Sequence, residues 1–238
     1  MATTAHPVET AVRRRSPAQV RDLLLVGLTF SSGAIDAISF LALGKVFTSF
    51  MTGNVVFLGL RVAGAGGPDI WRAPVALVAF AAGAFVATRI VGASKGFGVW
   101  PRRVSVALGL TLVLQAVFLA VWITTSGRPG TGSSAVLTAL MALAMGAQSG
   151  AIMALAVEGV FTTAATATVM FLMRDVAARS GSTAADRARL GGVLLALFAG
   201  ATAGGLLLVH ARTYAPALPL AATALVVGTA SVAVTARA

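Results

Sequence analysis

The residues best suited to chemistry lie on one face of the first long apolar segment. Asp36 stands within Leu23–Leu43, where an unpaired charge is costly in an apolar setting. Polar and small residues recur along this segment at three- and four-residue spacing: Thr29, Ser32, Gly33, Asp36 and Ser39. That spacing places them on one side of a helix, which would face the interior of a bundle. The pattern predicts a proton, cation or substrate site at Asp36, or alternatively a structural carboxylate bonded to a neighbouring helix.

Hydroxyl and amide side chains also mark two shorter apolar segments, Val46–Ala63 and Val160–Met173. These groups would either line a permeation path or satisfy backbone amides and carbonyls freed by irregular chain. Two further polar residues, Gln148 and Glu158, stand at or near membrane depth. The candidate substrate- or ion-binding residues are therefore Asp36, Ser32, Ser39, Thr52, Asn54, Gln148, Glu158 and Thr166.

Enzymatic and metal chemistry find little support in the residue pattern. Residues 92–96 match the G-x-S-x-G pattern of serine hydrolases, but they end an apolar segment rather than follow a strand, and His210 is the only well-placed base. The chain has no cysteine and no paired histidine motif. We expect no catalytic residue, no metal site and no cofactor.

The composition decides which elements must hold these residues. The chain of 238 residues is 58% hydrophobic and 11% charged, with a mean hydropathy of +0.91. A soluble domain has about twice that share of charge, and so much apolar surface would aggregate in water. We therefore expect a tail over residues 1–22 and a single transmembrane domain over residues 23–238. The net charge of +11 is distributed between apolar runs, so the lipid bilayer, and not nucleic acid, is the expected partner.

Eight apolar segments follow the tail. They are Leu23–Leu43, Val46–Ala63, Pro74–Val91, Val104–Thr124, Ser134–Val157, Val160–Met173, Leu190–Val209 and Ala217–Thr235. A spanning helix needs about 20 residues, which the second segment barely approaches and the sixth does not reach. The predicted fold is an all-α polytopic membrane protein with six transmembrane helices and two short broken or re-entrant segments. Seven or eight spans are the alternative.

The two short segments resemble each other. A shift of 114 residues places Val46-Phe47-Thr48 on Val160-Phe161-Thr162, with 11 identities in the 23 positions from Ala37. We interpret this as an internal duplication with halves at about 23–125 and 134–237. Short, glycine-interrupted segments at matching places in two repeats are typical of a transport site.

The basic residues predict the orientation. Six spans put 13 Lys and Arg residues on the side of the N-terminus and 5 on the other, whereas eight spans give 12 and 6. Both counts place the N- and C-termini on the cytoplasmic side of the membrane. Ser16-Pro17-Ala18-Gln19 predicts the start of the first helix, with Ser16 as its N-cap.

Two motifs resemble a known family. Gly33-Ala34-Ile35-Asp36-Ala37 followed by Met51-Thr52-Gly53-Asn54 is similar to the signature of the YoaK-like bacterial membrane proteins, a domain-of-unknown-function family. The Met145–Gln148 run with Thr162-Thr163 resembles that family's second-half motif. The chain has Thr166-Ala167 where a second Thr-Gly pair would stand. The resemblance implies a polytopic inner-membrane protein and brings no substrate with it.

Together these patterns favour a small-solute or ion secondary transporter or permease, with its site between the repeats near Asp36. The alternative is a non-transporting membrane scaffold or accessory subunit. The sequence leaves the solute and coupling ion unassigned and homo-oligomerisation open.

Overall fold

The computed structural model describes residues 16–92, 99–163, 165–177 and 183–233, and this part of the chain is helical without strands. A 3₁₀ turn, Arg212–Tyr214, precedes the last helix. The helices are α1 Pro17–Ala42, α2 Met51–Val62, α3 Arg72–Val91, α4 Arg102–Thr124, α5 Thr131–Met153, α6 Ala165–Ala177, α7 Ala184–His210 and α8 Ala217–Ala233.

Six of these elements are long and apolar enough to cross a membrane: α1, α3, α4, α5, α7 and the stretch from the 3₁₀ turn through α8. At 12 and 13 residues, α2 and α6 are too short to span. The predicted six spans with two short segments are confirmed. The short helices begin later than the apolar runs predict, because residues 46–50 and 160–163 are not helical.

The first helix begins as its residues predict. The Ser16 hydroxyl accepts from the Gln19 amide, and the Gln19 side chain accepts from the Ser16 amide. The helix ends where Gly44 and Lys45 take positive φ angles of 95° and 61°. Glycine adopts this conformation freely, so the chain turns sharply after α1 and before the candidate residues of α2.

Two glycine-lined crossings join the first four helices to the last four. On α1 and α7, a Cβ at Gly33 or Gly200 would overlap the backbone of the facing helix. On α3 and α5 the same holds for Gly83 and Gly146. Small residues allow this close approach in membranes.

Hydrogen bonds between α1 and α5 show that these helices run in opposite directions. Near the end of α1, the Leu43 carbonyl accepts from Ser134 near the start of α5. Further back on α1, Ser32 accepts from Gln148, late in α5. If all eight segments crossed the membrane, α1 and α5 would run parallel, so the antiparallel pairing favours six spans.

The helix ends define two faces of the bundle. At the Leu43 face, α1 and α7 end and α3 and α5 begin, and the Trp122 indole donates to the Arg212 carbonyl. At the Asp22 face, Asp22 of α1 pairs with Arg189 of α7 at 3.5 Å. Large apolar side chains such as Val78, Phe198 and Leu225 are about 70% exposed on the outside, as lipid contact requires.

Candidate functional site

Asp36 holds the loop that follows its own helix. One carboxylate oxygen accepts from the backbone amides of Thr48 and Ser49, at 3.0 and 2.8 Å. The other accepts from the Ser49 hydroxyl at 2.6 Å. Hydrogen bonds to a charged acceptor are stronger than neutral ones. We call residues 43–50 the clamped loop.

Asn54, on the first turn of α2, fastens the same loop from the other side. Its side-chain oxygen accepts from the Phe47 amide at 3.0 Å, and its side-chain nitrogen donates to the Phe47 carbonyl at 2.6 Å. The Phe47 ring packs against both Phe40 and Phe57, with centroids 5.0 and 5.9 Å away, and those two rings lie 6.3 Å from each other. The loop therefore closes its side of the bundle with both polar bonds and aromatic packing.

No cation pairs with Asp36 among the described residues. The chain reverses direction after α1, which would allow Lys45 to approach Asp36. Lys45 is nevertheless exposed and forms no ion pair with Asp36 among the described residues. The carboxylate is held by hydrogen-bond donors of the clamped loop instead.

Arg72 is a buried charged residue that the sequence analysis did not select as a candidate. It is 8% exposed, and one guanidinium nitrogen donates to the Leu43 carbonyl at 2.6 Å and to the Ser134 hydroxyl at 2.8 Å. It also pairs with Asp69 at 3.1 Å. Arg72 thus joins the ends of three helices directly below the clamped loop. In the sequence, Arg72 stands at the start of an apolar segment, and it was used only as one of the basic residues counted to predict the membrane orientation.

A buried polar link joins the two halves of the chain at depth. The Gln148 side-chain nitrogen donates to the Ser32 hydroxyl at 2.9 Å, and it lies 3.5 Å from the Thr162 hydroxyl. Gln148 and Ser32 are both fully buried. The link connects α1 directly to the non-helical stretch that precedes α6.

That stretch, residues 154–163, corresponds to the clamped loop but lacks its clamps. At the shift of 114 residues, Gly150 stands in place of Asp36, and Thr168 in place of Asn54. The Thr168 hydroxyl is buried and has no hydrogen-bond partner among the described residues. Two side-chain contacts tie this stretch to α5: the Ser149 and Thr163 hydroxyls lie 3.0 Å apart, and the Gln148 side-chain nitrogen lies 3.5 Å from the Thr162 hydroxyl.

A cavity of about 530 Å³ opens beside this unclamped stretch. Its aromatic walls come from Phe80 of α3, Phe161 of the unclamped stretch and Phe171 of α6. Ser149 and Thr163 supply hydroxyls. We call it the Thr163 cleft. Its size lies within the range of about 300–1,000 Å³ for small-molecule sites.

Glu158 corrects a sequence interpretation. The sequence predicts an acidic residue at or near membrane depth. In the structure, the Glu158 side chain is 70% exposed and pairs with Arg174 at 2.9 Å. The chain leaves the helix at residue 154, so Glu158 lies on a turn at the rim of the Thr163 cleft. The hydrogen bond to the Glu158 carboxylate raises the pKa of Arg174.

The predicted site residues fall into three groups. Asp36, Ser39 and Asn54 lie at or beside the clamped loop, with the Ser39 hydroxyl donating to the Asp36 carbonyl. Ser32 and Gln148 form the buried link, and Glu158 lies at the cleft rim. Thr52 and Thr166 are exposed on α2 and α6 and join none of these groups.

The inward stripe predicted for α1 is confirmed, since Thr29, Ser32, Gly33 and Ser39 are buried. Within the described residues, no three acidic or histidine side chains could share a metal ion. Of the G-x-S-x-G residues, 93–96 lie outside the described residues, as do the arginines at 13–15.

These features define a polytopic α-helical membrane protein with hydrogen-bonded polar groups inside its bundle. The chain belongs to the family described as "Protein of unknown function (DUF1275)", whose model matches residues 24–230. It is 33% identical over 162 residues to the UPF0700 transmembrane protein YoaK of Bacillus subtilis (strain 168), covering 68% of this chain and 70% of that protein. The family resemblance is thereby confirmed. No solved structure matches the chain.

Proposed function

We propose that this protein is a secondary transporter or permease for a small solute, in which the clamped loop and the Thr163 cleft are the gates of two inverted repeats. One observation carries the proposal: of two corresponding loops, one is fastened by side-chain hydrogen bonds and the other borders a cavity. Asp36 and Asn54 seal the first, while the second borders a cavity of about 530 Å³. A carrier closed on one side and open on the other would have this asymmetry.

The duplication itself is part of the proposal. The four helices of the second half start 112 to 115 residues after those of the first, in the same order of long, short, long and long. The first long helices, α1 and α5, run in opposite directions, as inverted repeats require. Each packs against the third element of the other half, α7 or α3, through glycines. A site between such halves is accessible from either side by a small relative rotation.

Asp36 would couple the gate to a proton or cation. When the carboxylate takes up a proton, one oxygen still accepts from the Thr48 and Ser49 amides, but these bonds become neutral and weaker. The protonated oxygen would donate to the Ser49 hydroxyl instead of accepting from it. Neither nearby base neutralises it, because Lys45 is exposed and Arg72 is engaged with Leu43, Ser134 and Asp69. Protonation would therefore release the clamped loop, and ionisation would reseal it.

The orientation follows from the basic residues. Six basic residues lie on the side of the Asp22 face, at the start of α1, α4 and α7 or on α6. They are Arg21, Arg102, Arg103, Arg174, Arg187 and Arg189. The excess of Lys and Arg favours the cytoplasm for this face. The clamped loop would then face the outside of the bacterial plasma membrane, and the Thr163 cleft would open inward.

The experiment measures coupled flux. The full chain is reconstituted into proteoliposomes loaded with a pH-sensitive dye, and a panel of small neutral, anionic and cationic solutes is added outside. We expect one solute class to drive proton movement and the Asp36→Asn variant to abolish it. Asp22→Asn is the matched control, since Asp22 is a carboxylate on the same helix that pairs with Arg21 and Arg189.

Two outcomes would overturn the proposal. The first is that no solute in the panel moves while Asp36→Asn is as stable as the parent, which would favour a scaffold or accessory subunit. The second is that Asp22→Asn abolishes flux as completely as Asp36→Asn, in which case Asp36 has no special coupling role.

A further inference from the structure

We infer that the Thr163 cleft binds an uncharged solute with an aromatic ring and one hydrogen-bonding group. This rests on the proposed function, because it names the solute class of the inward-facing site. Three surfaces of the cleft lead to the inference: its aromatic walls, its hydroxyl pair and the charges at its rim.

The walls are shaped for a ring. Phe161 and Phe171 lie 6.4 Å apart between ring centroids and are inclined by 34°. Phe80 of α3 contributes a third ring to the lining, and Ile152 and Met153 add apolar surface to it. Aromatic pairs prefer offset or edge-to-face arrangements with centroids about 4.5–7 Å apart. A flat apolar group placed among these rings would bury its faces against them.

The hydrogen-bonding side of the cleft is neutral. The Ser149 and Thr163 hydroxyls lie 3.0 Å apart, so one donates to the other. The accepting hydroxyl keeps its own proton for another acceptor, and both oxygens keep lone pairs. The pair therefore offers one donor and several acceptor positions, which suits an amide, a phenol or an indole N–H.

The charges argue against an ion. Glu158 is the single charged residue in the described lining, and it is already paired with Arg174 at the exposed rim. Since Arg174 already neutralises Glu158, an anion or a cation inside the cleft would lose water without gaining an unpaired opposite charge, which is unfavourable. A neutral solute avoids this cost.

The test exploits the absence of native cysteine from the chain. A single cysteine replaces Val157, which lines the cleft, so that both hydroxyls of the pair stay in place. It is labelled with a maleimide in the full-length protein in nanodiscs, with benzamide, benzoate or benzylamine present. These probes share a ring and differ in charge. At four times its dissociation constant, benzamide should slow labelling about fivefold. Benzoate and benzylamine should leave the rate unchanged.

Two controls keep the inference falsifiable. A cysteine at Thr52, exposed on α2 and away from the cleft, should label at the same rate with every probe. Ser149→Ala, which keeps the fold but removes half of the hydroxyl pair, should weaken protection by benzamide. Equal protection by all three probes, protection at Thr52 as well, or no protection by benzamide would overturn the inference. Because the readout is binding, it can succeed even where the flux experiment fails.

Discussion

Replacing Asp36 with asparagine should open the clamped loop without unfolding the bundle. Asparagine keeps the shape of the side chain and can still bond the amides of Thr48 and Ser49. It changes three bonds to a charged acceptor, worth about 1.5–3 kcal/mol each, into neutral bonds worth about 0.5–1.5 kcal/mol. At about 1 kcal/mol per bond, the loop loses about 3 kcal/mol of closure free energy.

A cysteine at Thr48 reports this opening. Thr48 is fully buried, and its hydroxyl has no hydrogen-bond partner among the described residues, so the cysteine costs little. Because about 1.4 kcal/mol is a factor of ten, Asp36→Asn should raise maleimide labelling at this position by about two orders of magnitude. A cysteine at the exposed Thr52 should label equally in both backgrounds. If labelling at Thr48 stays unchanged while the variant folds normally, Asp36 does not hold the loop.

Three further predictions concern other contacts. Arg72→Gln should lower stability by about 2–4 kcal/mol, because it removes the buried guanidinium that bonds the Leu43 carbonyl and the Ser134 hydroxyl; the midpoint of thermal unfolding in detergent measures this. Gly200→Ala should lower that midpoint, since its Cβ would overlap a facing backbone, whereas Gly205→Ala, with open space around it, should not; equal effects would contradict the close crossing. Thr168→Asn should imitate the amide clamp of the first half and slow maleimide labelling of a cysteine at Thr163; unchanged labelling would argue against the correspondence.

The sequence could predict the membrane class, the six spans and the inward stripe on α1, because all three depend on local pattern. A run of about 20 apolar residues implies a span, and three- to four-residue spacing of polar groups implies one helical face. The Ser16 cap was likewise readable, since its partner Gln19 is three residues away.

Contacts between distant residues could not be read in this way. Asp36 meets Ser49 because Gly44 and Lys45 reverse the chain, and the spacing alone did not say which donors it would find. Arg72 reaches Ser134 across 62 residues. Glu158 turned out exposed because α5 ends before it, and an apolar run does not reveal where its helix stops.

The most direct measurement asks whether the two gates are coupled. Labelling of single cysteines at Thr48 and Thr163 is compared in the parent, Asp36→Asn and Thr168→Asn backgrounds. Alternating access predicts opposite changes: Asp36→Asn raises labelling at Thr48 and lowers it at Thr163, and Thr168→Asn does the reverse. If each substitution changes only the loop that carries it, the gates are independent and the transporter account is wrong.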